Sequence, residues 1–574
     1  MGTSAITGAG RWFWPAVVAL LLWTTVVRVV SALEETQTWD EGFHLAAGYS
    51  YLRTGDYRMR TENPPLGKLL NALPLLLWNP VVPTQDRSWQ EAKLVEFGSV
   101  FLYQNRVSAD QLLFAARCVT MLLSLLLGLA IALWTRRHFG DGAAWLACGL
   151  YCLDPNLIAH GRYVTSDLVA ALTIFLACLA WFRYLEAPSR RALLAAGVTL
   201  GLALASKFTA LALLPIFVIL YLLRRWQGRE GRSLGHLVKS FLWMGLISAA
   251  LIAALYAPDT VKLFREPPPP LARYIDQTTA LGRAVRFPAL VLRIPAHPYL
   301  LDFADFLNHV QAGHEAYLLG RIQRYGWWYY FPVAMALKTP VAALLLLAMA
   351  AAVSLKVLLR RGRREWLRRL SFKWLAVGVP PVALLGVAMS GGHNLGLRHV
   401  LPVYPFLYVA AAAVLMRPGA GLARRLRTGL AGALVLLAAV ESFSIHPHYL
   451  AFFNFLVGGP GEGPRYLVDS NIDWGQDLKK LKRYLKAQGT DAVCLCYFGT
   501  APPWYYGIKD QSIPATPEVR AGARPDCLVA ISATPLQGVY VPLEHFRWLR
   551  ERKPDAKVGY SIYVYDLRRN KKSP

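Results

Sequence analysis

The sequence lacks the signatures of most soluble catalysts. It contains no P-loop, no glycine-rich dinucleotide motif, no G-x-S-x-G elbow and no H-E-x-x-H pair. Chemistry that begins from a cytoplasmic nucleotide therefore finds no anchor in the chain. Acidic residues are scarce, 35 Asp and Glu against 62 Lys and Arg, which leaves a net charge of +27. Such an excess suits nucleic acid or anionic lipid, but the placement of the charges points to membrane topology, and no nucleic-acid partner is expected. Cysteine is also sparse, with seven residues. Cys118, Cys148, Cys152 and Cys178 lie inside apolar runs and read as small buried hydrophobes. Cys494 and Cys496 share one face of an expected strand, and a disulfide to Cys527 is left open. No internal repeat is present, and no small-residue cleavage site precedes Asp40, so the first apolar run is expected to remain as an anchor.

What the chain has in abundance is apolar sequence: 55% of its 574 residues are hydrophobic, gathered in runs of about twenty, the length that crosses a bilayer. About eleven spans are expected, at 14–33, 112–134, 142–159, 165–184, 191–205, 208–223, 238–257, 334–358, 373–389, 400–416 and 427–445. Alternate connections are then strongly basic, including Arg136, Arg137, Arg183, Arg190, Arg191, Arg224, Arg225, Arg229, Arg232, Lys356, Arg360, Arg361, Lys373, Arg417, Arg424 and Arg425. By the positive-inside rule these face the cytoplasm, which puts the N-terminus inside and the C-terminus outside. The expected fold class is an α-helical polytopic membrane protein with a small C-terminal extracytoplasmic α/β domain. Its membrane domain covers 1–457 and carries outer loops 34–111 and 258–333; its outer domain covers 458–574.

In the first outer loop, Leu66–Trp78 is too short for a span, is broken by Pro74, and reads as an amphipathic or re-entrant helix. The second opens on the rigid run Pro267–Pro270 and ends in Trp327-Trp328-Tyr329-Tyr330, an expected interfacial belt. In the tail, Leu478, Leu481 and Leu485 recur at helical spacing before Gly489. Val493–Phe498, Cys527–Ser532 and Tyr560–Tyr565 read as strands, and Leu543, Phe546 and Leu549 as a second helix.

The polar constellation falls on the outer side. Asp40 and Glu41 stand where the first apolar run leaves the membrane, an expensive place for carboxylates. One of them can take a proton from an acceptor hydroxyl; Asp40 is the expected base, sharing a helix face with His44, while Glu41 orients. Outer cations Lys68, Arg162, Lys207, Lys338, Arg398 and His399 suit a departing phosphate. Arg398 stands out, in the turn Gly391-Gly392-His393-Asn394-Leu395-Gly396-Leu397-Arg398-His399; His160, Arg162 and Asp167 make a weaker set. Asp469-Ser470-Asn471-Ile472-Asp473-Trp474-Gly475 fails the calcium-loop pattern, so Asn471 or Asp473 is expected to cap the following helix, with Trp474 as a sugar-stacking surface in second place. No metal cluster is evident, and a divalent cation is left open.

Trp39-Asp40-Glu41, Glu62-Asn63-Pro64-Pro65-Leu66-Gly67-Lys68 and Lys338-Thr339-Pro340 resemble motifs of the GT-C glycosyltransferases. The nearest groups are the protein O-mannosyltransferase-like enzymes of family 39 and the bacterial aminoarabinose-type transferases. Asp469–Asp477 resembles a stretch of bacterial carrier-lipid-dependent members. The resemblance implies an inverting enzyme that uses a polyprenyl-phosphate sugar, with the catalytic acid in the first outer loop at Asp40, with Glu41 beside it. On the residues themselves, donor-phosphate contacts are expected from Lys68, Arg398, His399, Lys207 and Arg162, and substrate contacts from His44, Glu62, Asn63, His393, Lys338 and Asp167. The family usually has histidine where this chain has Asn63, which cannot titrate near neutrality. The implied acceptor is a glycolipid, glycan or protein, the implied location the bacterial inner membrane. The rival reading is a polytopic transporter or flippase for a lipid-linked glycan, which should show paired half-repeats.

Overall fold

The computed structural model describes residues 12–265, 295–361, 370–417, 422–513 and 526–568; Pro267–Pro270 lies outside them. Among the described residues eight helices are long and apolar enough to cross a membrane, by length and composition: Phe13–Glu34, Ala109–Phe139, Ser166–Glu186, Phe208–Trp226, Leu234–Leu255, Val341–Leu359, Phe372–Ser390 and Arg425–Ser444. The other three expected spans are shorter. The run at 142–159 is cut into Asp141–Leu153 and Pro155–His160, because Asp154 caps the second piece through the amides of Asn156 and Leu157 and Pro155 opens it. Arg190–Leu204 and Val403–Leu415 have 15 and 13 residues. All three pack among the longer helices.

The basic connections meet at one end of the bundle. Lys373 Nζ donates to the carbonyl of His138 at 2.5 Å, Arg229 donates to that of Leu370 at 2.9 Å, and the Arg417 guanidinium lies 4.3 Å from the centre of the Trp374 ring. Phe372–Ser390 starts in this basic layer, and Leu384, Val387 and Ala388 near its far end line a cavity.

In the loop 34–111, Glu41–Thr54 packs on Leu66–Ala72, which Pro74 converts to a 3₁₀ turn over Leu73–Leu77. Their approach is set by Gly48, where a Cβ would sit 2.1 Å from the Lys68 carbonyl oxygen. Since backbone cannot yield as a side chain can, Gly48→Ala should destabilise the protein by about 1–3 kcal/mol, read as a lowered unfolding temperature. An unchanged temperature would show that these two helices can separate freely. Of the expected aromatic belt, Trp328 is exposed and Tyr329 partly so. Tyr330 is buried instead, because its hydroxyl accepts from Asn471 Nδ2 at 3.1 Å.

The tail carries one mixed sheet. After the hairpin β1 (Ala316–Leu318) and β2 (Arg321–Gln323) come β3 (Ala492–Cys496), β4 (Lys509–Ser512), β5 (Leu528–Ser532), β6 (Ala556–Val558) and β7 (Ile562–Asp566). The sheet order is β4-β3-β5-β7-β6, with β3 parallel to both β4 and β5 and the remaining pairs antiparallel. Leu478–Ala487 is the expected helix, and Cys494 is the residue that pairs with Cys527. The expected second helix shrinks to a 3₁₀ turn and one helical turn, Leu543–Phe546 and Arg547–Arg550. Contacts run straight across residue 457. The amides of Thr36 and Trp39 donate to the carbonyls of Gln476 and Trp474 at 2.9 and 2.8 Å, and Gln37 Nε2 donates to Thr500 Oγ1 at 2.6 Å. The tail is thus a roof hydrogen-bonded to the loop that bears Asp40.

Candidate active site

Beneath this roof lies a cavity of about 830 Å³. Its upper wall is polar and aromatic. Its lower wall, with Ile174, Ala212, Leu384, Val387 and Val403, is apolar and runs between the helices. Asp40 stands at the N-terminus of Glu41–Thr54, and its carbonyl accepts the amide of His44 at 3.1 Å. One helical turn therefore brings both side chains into the cavity, as expected from their spacing. Arg398 approaches from the Leu397–Val400 turn, 358 residues away in sequence, and its Nη1 donates to Asp40 Oδ2 at 2.6 Å. Asp167 Oδ2 lies 3.7 Å from the same nitrogen, and Lys207 is bonded to the other oxygen of Asp167. Two acids and two cations thus form one network.

Arg398 is held flat, its guanidinium 4.3 Å from the centre of the Trp474 ring. Burial disfavours its charge, yet Asp40, Asp167 and Asp469 outweigh burial and hold its pKa above the usual range. Its Nε has no hydrogen-bond partner. His44 is driven the other way, to a pKa of about 3, by burial first and then by the charge of Lys68. Burial, with neighbouring cations, also lowers His393 and His399. These three imidazoles are therefore neutral at pH 7 and serve as hydrogen-bonding groups rather than cations.

Lys207, His393, His399, Glu62 and Asn63 also line the cavity. Glu62 holds His309 at 3.2 Å. Asn63 Oδ1 accepts from Ser166 at 3.3 Å, which ties the loop to the helix Ser166–Glu186. Lys68 lies just behind this wall and donates to Thr61 Oγ1 and the Asn63 carbonyl at 2.7 and 2.8 Å, so it braces the loop.

Three expected site residues are turned elsewhere. Glu41 is fully buried and faces Arg117, with Arg117 Nη2 2.6 Å from its Oε2. It also accepts from the amides of Thr38 and Val164 at 2.8 and 3.0 Å, so it is a structural anion. Arg162 is consumed by Glu35, with Nη2–Oε1 at 2.7 Å and both side chains buried. Lys338 is buried and donates to the carbonyls of Leu450, Phe452 and Asn471 at 3.0, 2.9 and 2.5 Å. Burial pulls its pKa down to about 7 while Asp154 resists. Nor do Asn471 and Asp473 cap a helix. Asn471 Oδ1 accepts the amide of Leu397 at 3.1 Å, and Asp473 Oδ2 that of Thr534 at 2.8 Å. Trp474 is not an open sugar platform, since Arg398 covers it.

Reading charges at span ends missed Asp469, Tyr540 and Phe498, all on the cavity wall. Among the described residues no group of three or more His, Cys, Asp or Glu is arranged to hold a metal ion.

No curated protein matches the chain. Among solved structures it is similar to ArnT from Cupriavidus metallidurans bound to undecaprenyl phosphate, at 14% identity over 97% of this chain and 99% of that one, TM-score 0.43. It is also similar to the oligosaccharyltransferase of Archaeoglobus fulgidus, at 13% identity over 93% and 72%, TM-score 0.48. The S. cerevisiae protein O-mannosyltransferase Pmt1-Pmt2 complex bound to its sugar donor matches at 19% identity over 46% and 34%, TM-score 0.26. The expected resemblance to protein O-mannosyltransferases is met in sequence, where residues 106–257 match the family model described as dolichyl-phosphate-mannose-protein mannosyltransferase.

Proposed function

We propose that the protein is an integral membrane glycosyltransferase that moves a sugar from a polyprenyl-phosphate carrier to an acceptor hydroxyl at the outer face of the membrane. One observation carries the reading: Asp40 and Arg398 converge on a single cavity whose lower wall is apolar. An isoprenoid tail needs that apolar wall, a phosphate needs the cations above it, and an attacking hydroxyl needs the carboxylate. The family-model match over 106–257 supports the same class of donor.

In this reading the phosphate binds Arg398 and Lys207, with His399 as a neutral donor. The acceptor oxygen attacks the anomeric carbon from the face opposite the phosphate. Its proton passes to Asp40, the bond from the anomeric carbon to the phosphate oxygen breaks, and the electron pair leaves with the polyprenyl phosphate. Configuration inverts, and Arg398 stabilises the charge that grows on the leaving group. Arg398 already holds Asp40, so an incoming phosphate competes for the same guanidinium and frees the carboxylate to act as base. Donor binding thereby switches the base on.

Arg398→Ala should lose polyprenyl-phosphate binding by about 2–4 kcal/mol, the loss expected for a charge-assisted pair in a closed site. Binding of undecaprenyl phosphate to protein in nanodiscs measures it. Unchanged affinity would remove the phosphate from this end of the cavity. Translocation of an intact carrier sugar, without cleavage, would turn the assignment to a flippase.

A further inference from the structure

The cavity has a second polar region that the donor does not use. The rings of Trp39 and Phe498 are stacked with centroids 4.8 Å apart, and those of Phe498 and Tyr540 with centroids 5.5 Å apart. All three line the cavity, and the row starts at the residue next to Asp40. At its far end the Tyr540 hydroxyl donates to Asp469 Oδ2 at 2.7 Å and lies 3.3 Å from His314 Nδ1. The backbone N–H of Tyr540 is held by Glu315 Oε2 at 2.9 Å.

This wall is held under strain. Glu62, Asp469 and Tyr540 have φ of +58°, +58° and +63°, a region that costs a residue with a side chain about 1–3 kcal/mol. All three line the cavity, so the cost falls on the residues that shape it. The chemistry selects an occupant. The carboxylates of Asp469 and Glu62 disfavour a phosphate along this row. Aromatic rings edged by carboxylate, phenol and imidazole suit a molecule with apolar C–H faces and a rim of hydroxyls.

We propose that Trp39, Phe498, Tyr540 and Asp469 form the acceptor subsite, and that the acceptor is a saccharide. Its ring packs along the aromatic row, its hydroxyls bond to Asp469 and the Tyr540 edge, and the end of the row delivers one hydroxyl to Asp40. This inference rests on the donor assignment above and adds the acceptor class to it.

Saturation-transfer NMR on the full chain in nanodiscs, prepared without glycoside detergent, tests it. The probes are a panel of neutral di- and trisaccharides built from hexoses and N-acetylhexosamines, set beside serine- and threonine-containing peptides. At least one saccharide should receive saturation, and its affinity should fall about tenfold or more in Phe498→Ala and in Tyr540→Ala. Asp469→Asn, which keeps size and shape, should weaken the same saccharide if either alanine variant fails to fold. Undecaprenyl-phosphate binding, measured alongside, should stay unchanged in Phe498→Ala and Tyr540→Ala. The proposal is overturned if no saccharide in the panel binds, if binding survives in the variants, or if the peptides bind and the variants abolish that binding. Loss of undecaprenyl-phosphate binding in the unaltered protein would sink the donor assignment instead, with the saccharide result read on its own.

Discussion

Replacing Asp40 by asparagine is expected to cut sugar transfer by about 10²–10⁴-fold, the usual contribution of a positioned general base. The fold should survive, because Asp40 lies on a cavity wall and, among the described residues, its side chain bonds only to Arg398. Asparagine can still accept from that guanidinium but cannot take a proton at neutral pH. Transfer of a radiolabelled sugar from a polyprenyl-phosphate donor, followed in membranes and with purified protein, gives the rate. Binding of the carrier phosphate should be retained, which separates lost chemistry from lost assembly. A variant that transfers at the full rate would mean that another group removes the proton.

The neighbouring substitution should behave in the opposite way. Glu41→Gln is expected to cost about 3–5 kcal/mol of stability, the penalty for breaking a buried ion pair and leaving one partner charged. Five donors converge on the Glu41 carboxylate: the amide and hydroxyl of Thr38, Nε and Nη2 of Arg117, and the amide of Val164. A glutamine must aim its own N–H groups at some of them and leaves Arg117 without its ion-pair partner. Size-exclusion profiles after stepwise heating should show the monodisperse peak lost at a distinctly lower temperature than for the unaltered protein. A normally stable Glu41→Gln protein with no activity would return Glu41 to the chemistry.

The contrast between these two residues marks the limit of sequence reasoning here. Apolar run length was enough to find the bundle, because a bilayer demands about twenty apolar residues whatever the tertiary arrangement. The face shared by Asp40 and His44 follows from helical geometry alone, and Arg398 stood out by its polar turn. What decides between Asp40 and Glu41, however, is Arg117, which lies inside an apolar helix 76 residues later. Likewise Glu35 neutralises Arg162 from 127 residues away, and three backbone carbonyls absorb Lys338. A charge at a span end looks the same in sequence whether it faces a cavity or a distant partner. The aromatic wall was illegible for a related reason. Phe498 and Tyr540 sit in the tail, where alternating apolar residues report a strand and its core but not what the connections overhang.

The hydrogen bonds that tie residues 36–39 to residues 474–500 also bear on how such a protein is made. Synthesis runs from the N-terminus, so the loop bearing Asp40 emerges early and waits for a partner more than four hundred residues downstream. Until that last segment has docked, the acid and its guanidinium have no ceiling over them and neither Phe498 nor Tyr540 beside them. The Asp40–Arg398 pair is therefore closed in only when the end of the chain has been made, so the order of translation sets when the proposed site is complete.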